Sequence, residues 1–239
     1  MVLIRMVNGS GCCLCLRKTA NCIGTVQCDG KADIVLALDR SRVSLSEWNY
    51  ALQYLVDISA RFEIGPEKTQ IGVVSFSNRT YVEFYLNDYT DQESVADAIE
   101  NISYRNGHRY YNFAAALRIV RNEMFNSAYG ARAGACKILV MVVFCKGIHQ
   151  ERGMTIPEAL ATQWTGVKVI MVGLAPNCSN NTLPLMASRP TNENVFLFTS
   201  PKSIMSTCND VADGACEMAR RCVPDANTTT PTTTSQAAR

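Results

Sequence analysis

The chain has 239 residues, 47% of them hydrophobic, with a formal net charge of +2. That length holds one large domain or two small ones, and the apolar content is enough for a full core. The charge is too small to argue for a nucleic-acid partner by itself, and no apolar run reaches the ~18–20 residues of a membrane span.

Residues 1–27 lack hydrophobic periodicity and hold Cys12, Cys13, Cys15 and Cys22. They read as a cysteine-rich flank. Arg5, Asn8 and Gly9 break the opening apolar stretch early, which makes a poor secretory signal, so a true signal is expected upstream. Asp33 to Leu38 is a nearly continuous apolar run, suited to a strand buried on both faces. It stops at Asp39. Ser44-Leu-Ser-Glu47 then forms a capping box that opens an amphipathic helix running to Phe62, with Trp48, Leu52, Leu55 and Val56 on its core face. Gly65-Pro66 breaks the pattern. Ile71 to Phe76 is a second buried strand. A turn at Asn78 to Thr80 leads into Tyr81–Leu86, which alternates like an edge strand.

Thr90-Asp-Gln-Glu93 reads as another capping box, opening a helix with Val95, Ala98, Ile99 and Ile102 inward. A polar, aromatic loop spans Tyr104 to Tyr111. Asn112 caps a helix whose Phe113, Ala116, Leu117, Val120 and Met124 share one face. Lys137 to Phe144 is the most apolar strand and is predicted central. Thr155-Ile-Pro-Glu158 is a third capping box, with its helix ending at Trp164. Lys168–Leu174 and Val195–Phe198 are further strands, with a short helix from Leu183 to Ser188 between them. Ser200-Pro201 starts a closing helix that passes Cys208 towards Cys216. Strands alternating with helices predict an α/β fold, a doubly wound, mostly parallel sheet with helices on both faces and one antiparallel edge strand. Residues 223–239 are rich in Thr and Pro and read as a mucin-like tail.

Eleven cysteines without repeated Cys-x-x-Cys spacing favour disulfides over zinc. Six Asn-x-Ser/Thr sequons, at Asn8, Asn78, Asn101, Asn177, Asn180 and Asn227, point to the same oxidising, secreted setting. The odd count leaves a thiol free or paired between chains, so a disulfide-linked oligomer is allowed. Enzyme motifs are missing: there is no Gly-x-Gly-x-x-Gly after a strand, no P-loop lysine, and neither histidine lies in a His-Glu-x-x-His context. Cys145 near His149 is the one nucleophile–base pairing the sequence offers.

Several blocks in order carry a family resemblance. Asp33 to Ser41 resembles the first strand and Asp-x-Ser-x-Ser loop of von Willebrand factor type A domains. Lys68 to Ser77 resembles their second strand. Val82 to Thr90 and Ala114 to Arg118 match the blocks flanking their Gly-x-Thr-x-Thr loop, and Lys137 to Val143 their central strand. The chain is most similar to the extracellular-matrix members: matrilins, collagen VI-type chains and the matrix proteins of mussel byssal threads. The resemblance implies one such domain over residues 28–222, a disulfide between Cys28 and Cys216, and a second between Cys178 and Cys208. It also implies a metal-ion-dependent adhesion site, in which oxygen ligands from three loops hold Mg²⁺.

The residues depart from that site. Asp39 and Ser41 are kept, but Val43 stands where a second serine belongs, with Ser44 one residue late. Arg109 falls at the ligand threonine and Phe144 at the usual aspartate. No metal or other cofactor is therefore expected, and Arg109 is expected to reach Asp39 as a substitute cation, the equal alternative being that it swings into solvent at a decayed site. Arg40, Arg42, Arg105, His108, Tyr110, Tyr111, Lys146 and His149 form a candidate basic and aromatic rim, of the residue types enriched at binding hot spots. The functional expectation is a non-enzymatic, secreted matrix adhesion module that binds collagen, another matrix protein or a sulfated glycan without metal. The alternative is a spacer domain with no ligand of its own.

Overall fold

A computed structural model describes residues 28, 30–105, 109–149, 151–174, 178, 182–198 and 208–221. The cysteine-rich flank, the Thr/Pro-rich tail, His108, and the sequons at Asn8, Asn177, Asn180 and Asn227 lie outside the described residues.

The first strand, β1 (Ala32–Asp39), is buried at all eight positions. It pairs in parallel with β2 (Gln70–Phe76) on one side and β5 (Cys136–Val143) on the other. Beyond β2, β3 (Thr80–Phe84) runs antiparallel and forms one edge. Beyond β5, β7 (Lys168–Gly173) and β8 (Val195–Leu197) continue in parallel, for the order β3-β2-β1-β5-β7-β8. Side chains alternate between two cores, as the strand period of two requires. Ile34, Leu36 and Leu38 face α1 (Leu45–Ser59), α2 (Gln92–Glu100) and the closing helix, α7 (Cys208–Arg221). Val35 and Ala37 face α3 (Phe113–Ile119), α4 (Arg152–Trp164) and α5 (Thr182–Met186). A short helix, α6 (Thr191–Asn194), leads into β8. This is the doubly wound, mostly parallel sheet with one antiparallel edge that the sequence predicts.

The caps follow local chemistry, with two corrections. The Ser44–Glu47 capping box forms, each side chain bonding the other's backbone amide. Helix α2 is capped by Asp91 rather than Thr90; the Asp91 carboxylate accepts from both the amide and the hydroxyl of Ser94, which a threonine hydroxyl cannot match. Helix α4 starts at Arg152, ahead of Thr155, with no side-chain cap. Thr155 is buried inside the first turn because its hydroxyl serves the ring of His149, at 2.7 Å. Asn112 caps α3 through the Ala115 amide, and the helix widens into a π turn over Val120–Met124.

Cys28 and Cys216 form a disulfide across 188 residues, fastening α7 to the chain just ahead of β1. Closing so long a loop contributes on the order of 4–5 kcal/mol on the chain-entropy account. Cys178 pairs with Cys145, not with Cys208. Cys145 and Cys178 follow the ends of the neighbouring parallel strands β5 and β7, which brings their Cα atoms within 5.4 Å. Cys178 packs over Gly173 so closely that a Cβ there would lie 2.7 Å from its own.

Asp33, at the start of β1, is fully buried. Arg132 compensates it: the Arg132 amide donates to one carboxylate oxygen at 2.7 Å and Nε to the other at 2.8 Å. The remaining guanidinium N–H groups donate to the carbonyls of Ala32, Pro66 and Lys68. One side chain thereby joins the approaches to three strands. Removing one partner of a buried pair leaves an uncompensated charge, so Arg132→Ala is expected to lose about 3–5 kcal/mol in a denaturant titration. Arg132→Lys should recover only part of that, since an ammonium cannot reproduce the fork.

Candidate adhesion site

The chain ends of β1 and β5 meet the loop before α3 above the sheet, where ligands bind in open α/β folds. Asp39 and Ser41 are both 0% exposed there. The Ser41 amide donates to one oxygen of Asp39 at 2.8 Å and the Phe144 amide to the other at 3.1 Å. The Cys145 amide adds to this. Cys145 has a left-handed φ of 56°. That turn aims successive amides at one carboxylate, the arrangement of an anion-binding nest. The Cys145–Cys178 disulfide holds the turn in place.

A two-stranded ribbon roofs the site. Residues Tyr110–Tyr111 (β4) pair in parallel with Ile148–His149 (β6), a feature the sequence presented only as loop. Tyr111 stacks on His149 at 4.9 Å, and Phe113 meets the same ring edge-on. The Ser41 hydroxyl donates to the Tyr110 carbonyl at 3.1 Å. Gly147 passes so close that a Cβ would sit 2.7 Å from the Tyr111 ring and 2.9 Å from Ser41 Cβ. Gly147 has no motif around it, which is why it escaped notice in the sequence.

The other candidate residues do not gather around Asp39. Arg109 is not its counter-charge: its guanidinium is exposed, lies 4.7 Å over the ring of Tyr110 and donates to that hydroxyl at 2.5 Å. No ion pair joins Arg109 to Asp39 among the described residues. Phe144 and Val43 are core residues, and Ser44 is committed to the α1 cap. Arg40 is not on the rim either. It is 2% exposed, donates to Ser75 Oγ and the Arg105 carbonyl, and lies over the rings of Trp48 and Tyr81. Tyr111 is buried as well. Lys146 is exposed but paired with Glu47. The exposed members are Arg42, Arg105 and Arg109, with Tyr104 beside them and Tyr110 half-buried. Cys145, being oxidised, is no nucleophile.

These donors do not fit a hard divalent ion. Such an ion needs about six oxygens. The side chains at the five candidate positions offer one carboxylate, held by backbone amides, and one hydroxyl, spent on a carbonyl. Among the described residues no group of three or more His, Cys, Asp or Glu is placed to hold a metal.

The sequence profile of the von Willebrand factor type A domain matches residues 33–209. The chain belongs to the von Willebrand factor type A family. It is 27% identical to human integrin alpha-11 over 195 residues, 78% of this chain and 16% of that protein. It is 31% identical to the human collagen alpha-1(XX) chain over 160 residues, 66% of this chain and 12% of that one. Proximal thread matrix protein 1 from the mussel byssus, solved with a zinc-occupied MIDAS motif, shares the fold. It superposes with a TM-score of 0.73 at 23% identity, over 80% of this chain and 49% of that one. The chain thus spans less than half of each of these proteins.

Burial raises the Asp39 carboxyl from its ordinary 3.8 to about 6, against the lowering effect of the donors from Ser41, Phe144 and Cys145. The folded protein therefore binds a proton between pH 4 and 6 that the unfolded chain releases. Stability contributed by this group is present at low pH and is lost as pH rises through about 6. The change amounts to up to about 3 kcal/mol. Unfolding free energies of wild type and Asp39→Asn, measured at pH 4.5 and 7.5, should differ in that sense, the variant gaining on wild type at the higher pH. A difference that does not vary with pH would refute the assignment. Gly147→Ala should loosen the roof, at about 1–3 kcal/mol for an overpacked methyl, read as faster amide exchange at Tyr110 to His149.

Proposed function

We propose that this type A domain is an extracellular matrix adhesion module that engages its partner without a metal ion. The observation that carries the reading is the complete burial of Asp39 and Ser41 beneath the β4–β6 ribbon. A metal-bridged mechanism needs an acidic group of the partner to reach the ion and complete its coordination. Among the described residues, Asp39 and Ser41 offer such a group no exposed surface, which supports a metal-free contact. Two disulfides support an oxidising compartment. The integrin and collagen relatives support a matrix setting. Among the described residues no helix is long and apolar enough to cross a membrane.

Contact falls instead to the exposed rim. Arg42, Arg105, Arg109 and Tyr104 are exposed and Tyr110 is half-buried; Arg109 lies over Tyr110, and Arg105 lies over Tyr81 beside Glu83 of β3. Arg42 carries a left-handed φ of 54° that turns it outward, and it makes no described hydrogen bond or ion pair. Arginine forks and aromatic faces suit carboxylates and sulfates on a collagen, another matrix protein or a sulfated glycan. The same type of surface gives no catalytic constellation, so the module binds and does not react.

Binding to immobilised fibrillar collagen, first with Mg²⁺ and then with EDTA, tests the reading. Binding is expected to be the same in both buffers and to fall with added salt. Joint replacement of Arg42, Arg105 and Arg109 by alanine should weaken it about tenfold or more. Loss of binding in EDTA would overturn metal independence, and binding unchanged by the triple replacement would move the contact off this rim.

A further inference from the structure

Cys136 opens β5 and is 3% exposed. It lies beside Ala32 of β1, and its amide donates to the Lys31 carbonyl at 3.1 Å. Cys136 is disulfide-bonded. Its partner is not Cys28, Cys145, Cys178 or Cys216, which pair among themselves. The candidates are Cys208 at the start of α7, Cys222 just past its end, and the flank cysteines Cys12, Cys13, Cys15 and Cys22.

The placement of α7 favours one of them. The Sγ of Cys136 lies 3.5 Å from the carbonyl oxygen of Met218. In an α-helix a carbonyl faces the amide four residues on, which from Met218 is that of Cys222. Ala212, Ala215 and Ala219 are fully buried along the inner face of α7. Position 222 continues that row, one helical step beyond Ala219. The same face rests on the approach to β1, where a Cβ on Gly30 would lie 3.3 Å from Ala219 Cβ. Cys208 stands at the other end of the helix, about 15 Å back along the axis from Met218. A disulfide needs its Cα atoms within about 7 Å.

We propose that Cys136 and Cys222, the latter outside the described residues, form a further disulfide that pins the last turn of α7 to the first residue of β5. Its formation takes two electrons and two protons from the two thiols. An external disulfide accepts them and becomes two thiols. Helix α7 is then held twice, through Cys216 to the chain ahead of β1 and through Cys222 to β5, at starts of strands that are neighbours in the sheet. Six of the eleven cysteines are used. The thiol that an odd count leaves free or paired between chains therefore falls to Cys208 or to the flank.

Trypsin separates the candidates. The full chain is produced in the bacterial periplasm, which is oxidising and adds no glycans. It is alkylated under mildly acidic conditions and digested without reduction. Residues 133–137, which hold Cys136, should appear joined to residues 222–239 and should separate from them on reduction. Finding 133–137 joined to 6–17, 19–31 or 203–220, or recovered with Cys136 alkylated, overturns the proposal. Cys136→Ala combined with Cys222→Ala should speed amide exchange at residues 217–221 about tenfold or more, with the amides of β2 unchanged. Exchange that stays as slow as in wild type overturns the pinning of the helix.

Discussion

A strand buried on both faces cannot leave a carboxylate uncompensated, and β1 carries one at each end. The two are neutralised by different means. Asp33 takes a full cation, the Arg132 guanidinium, whose other donors tie down the carbonyls of Ala32, Pro66 and Lys68. Asp39 takes partial charges, the amides of Ser41 and Phe144. Full charge repays more of the desolvation cost than dipoles do. Burial accordingly drives the Asp39 carboxyl up to about 6. The lower end of β1 is locked, whereas the upper end remains electrostatically soft.

That softness is stabilised by covalent and packing constraints. The left-handed turn at Cys145 is costly for a residue with a side chain. It persists because the disulfide to Cys178 fixes it from one side and Gly147 lies flat against Ser41 and Tyr111 on the other. The ribbon of β4 and β6 then closes over the carboxylate. These features act together: the turn aims the amides, the amides replace a cation, and the roof removes the water that would otherwise solvate the charge. Asp39, where the family resemblance implies a metal ligand, lies in the core.

The sheet was legible because its signal is redundant. Strands buried on both faces, such as β1 and β2, cannot be mistaken for helices when capping boxes and glycine breaks separate them, as at Ser44 and Gly65. The Cys28–Cys216 bridge is the one that the family resemblance implies. The site was legible only in what it lacks. Val43 and Phe144 point to a missing ligand set, and both are buried in the core. What replaces the ligands is backbone, and amides carry no residue-type signature. The expectation for Arg109 failed for this reason: a counter-charge was sought among side chains. The Cys145–Cys178 pair was hidden by distance in sequence and revealed by strand order, since β5 and β7 are neighbours only once β1 has been placed. The α4 capping box failed because Thr155 has a stronger claim on it, the His149 ring.

On the proposed metal-free reading, adhesion has to be achieved in another way. A bridging metal concentrates affinity in one bond with strict geometry, so a small contact suffices. Arginine rims give modest increments per group, and exposed charge pairs are weakened by salt. A domain that relies on them needs more area or more than one site. On that reading a weak rim contact at the end of the sheet that holds the carboxyl ends of β1 and β5 gains most when several such domains engage one network, because each further contact forms at high effective concentration. Asp39 then serves the core, held by backbone amides beneath the β4–β6 ribbon.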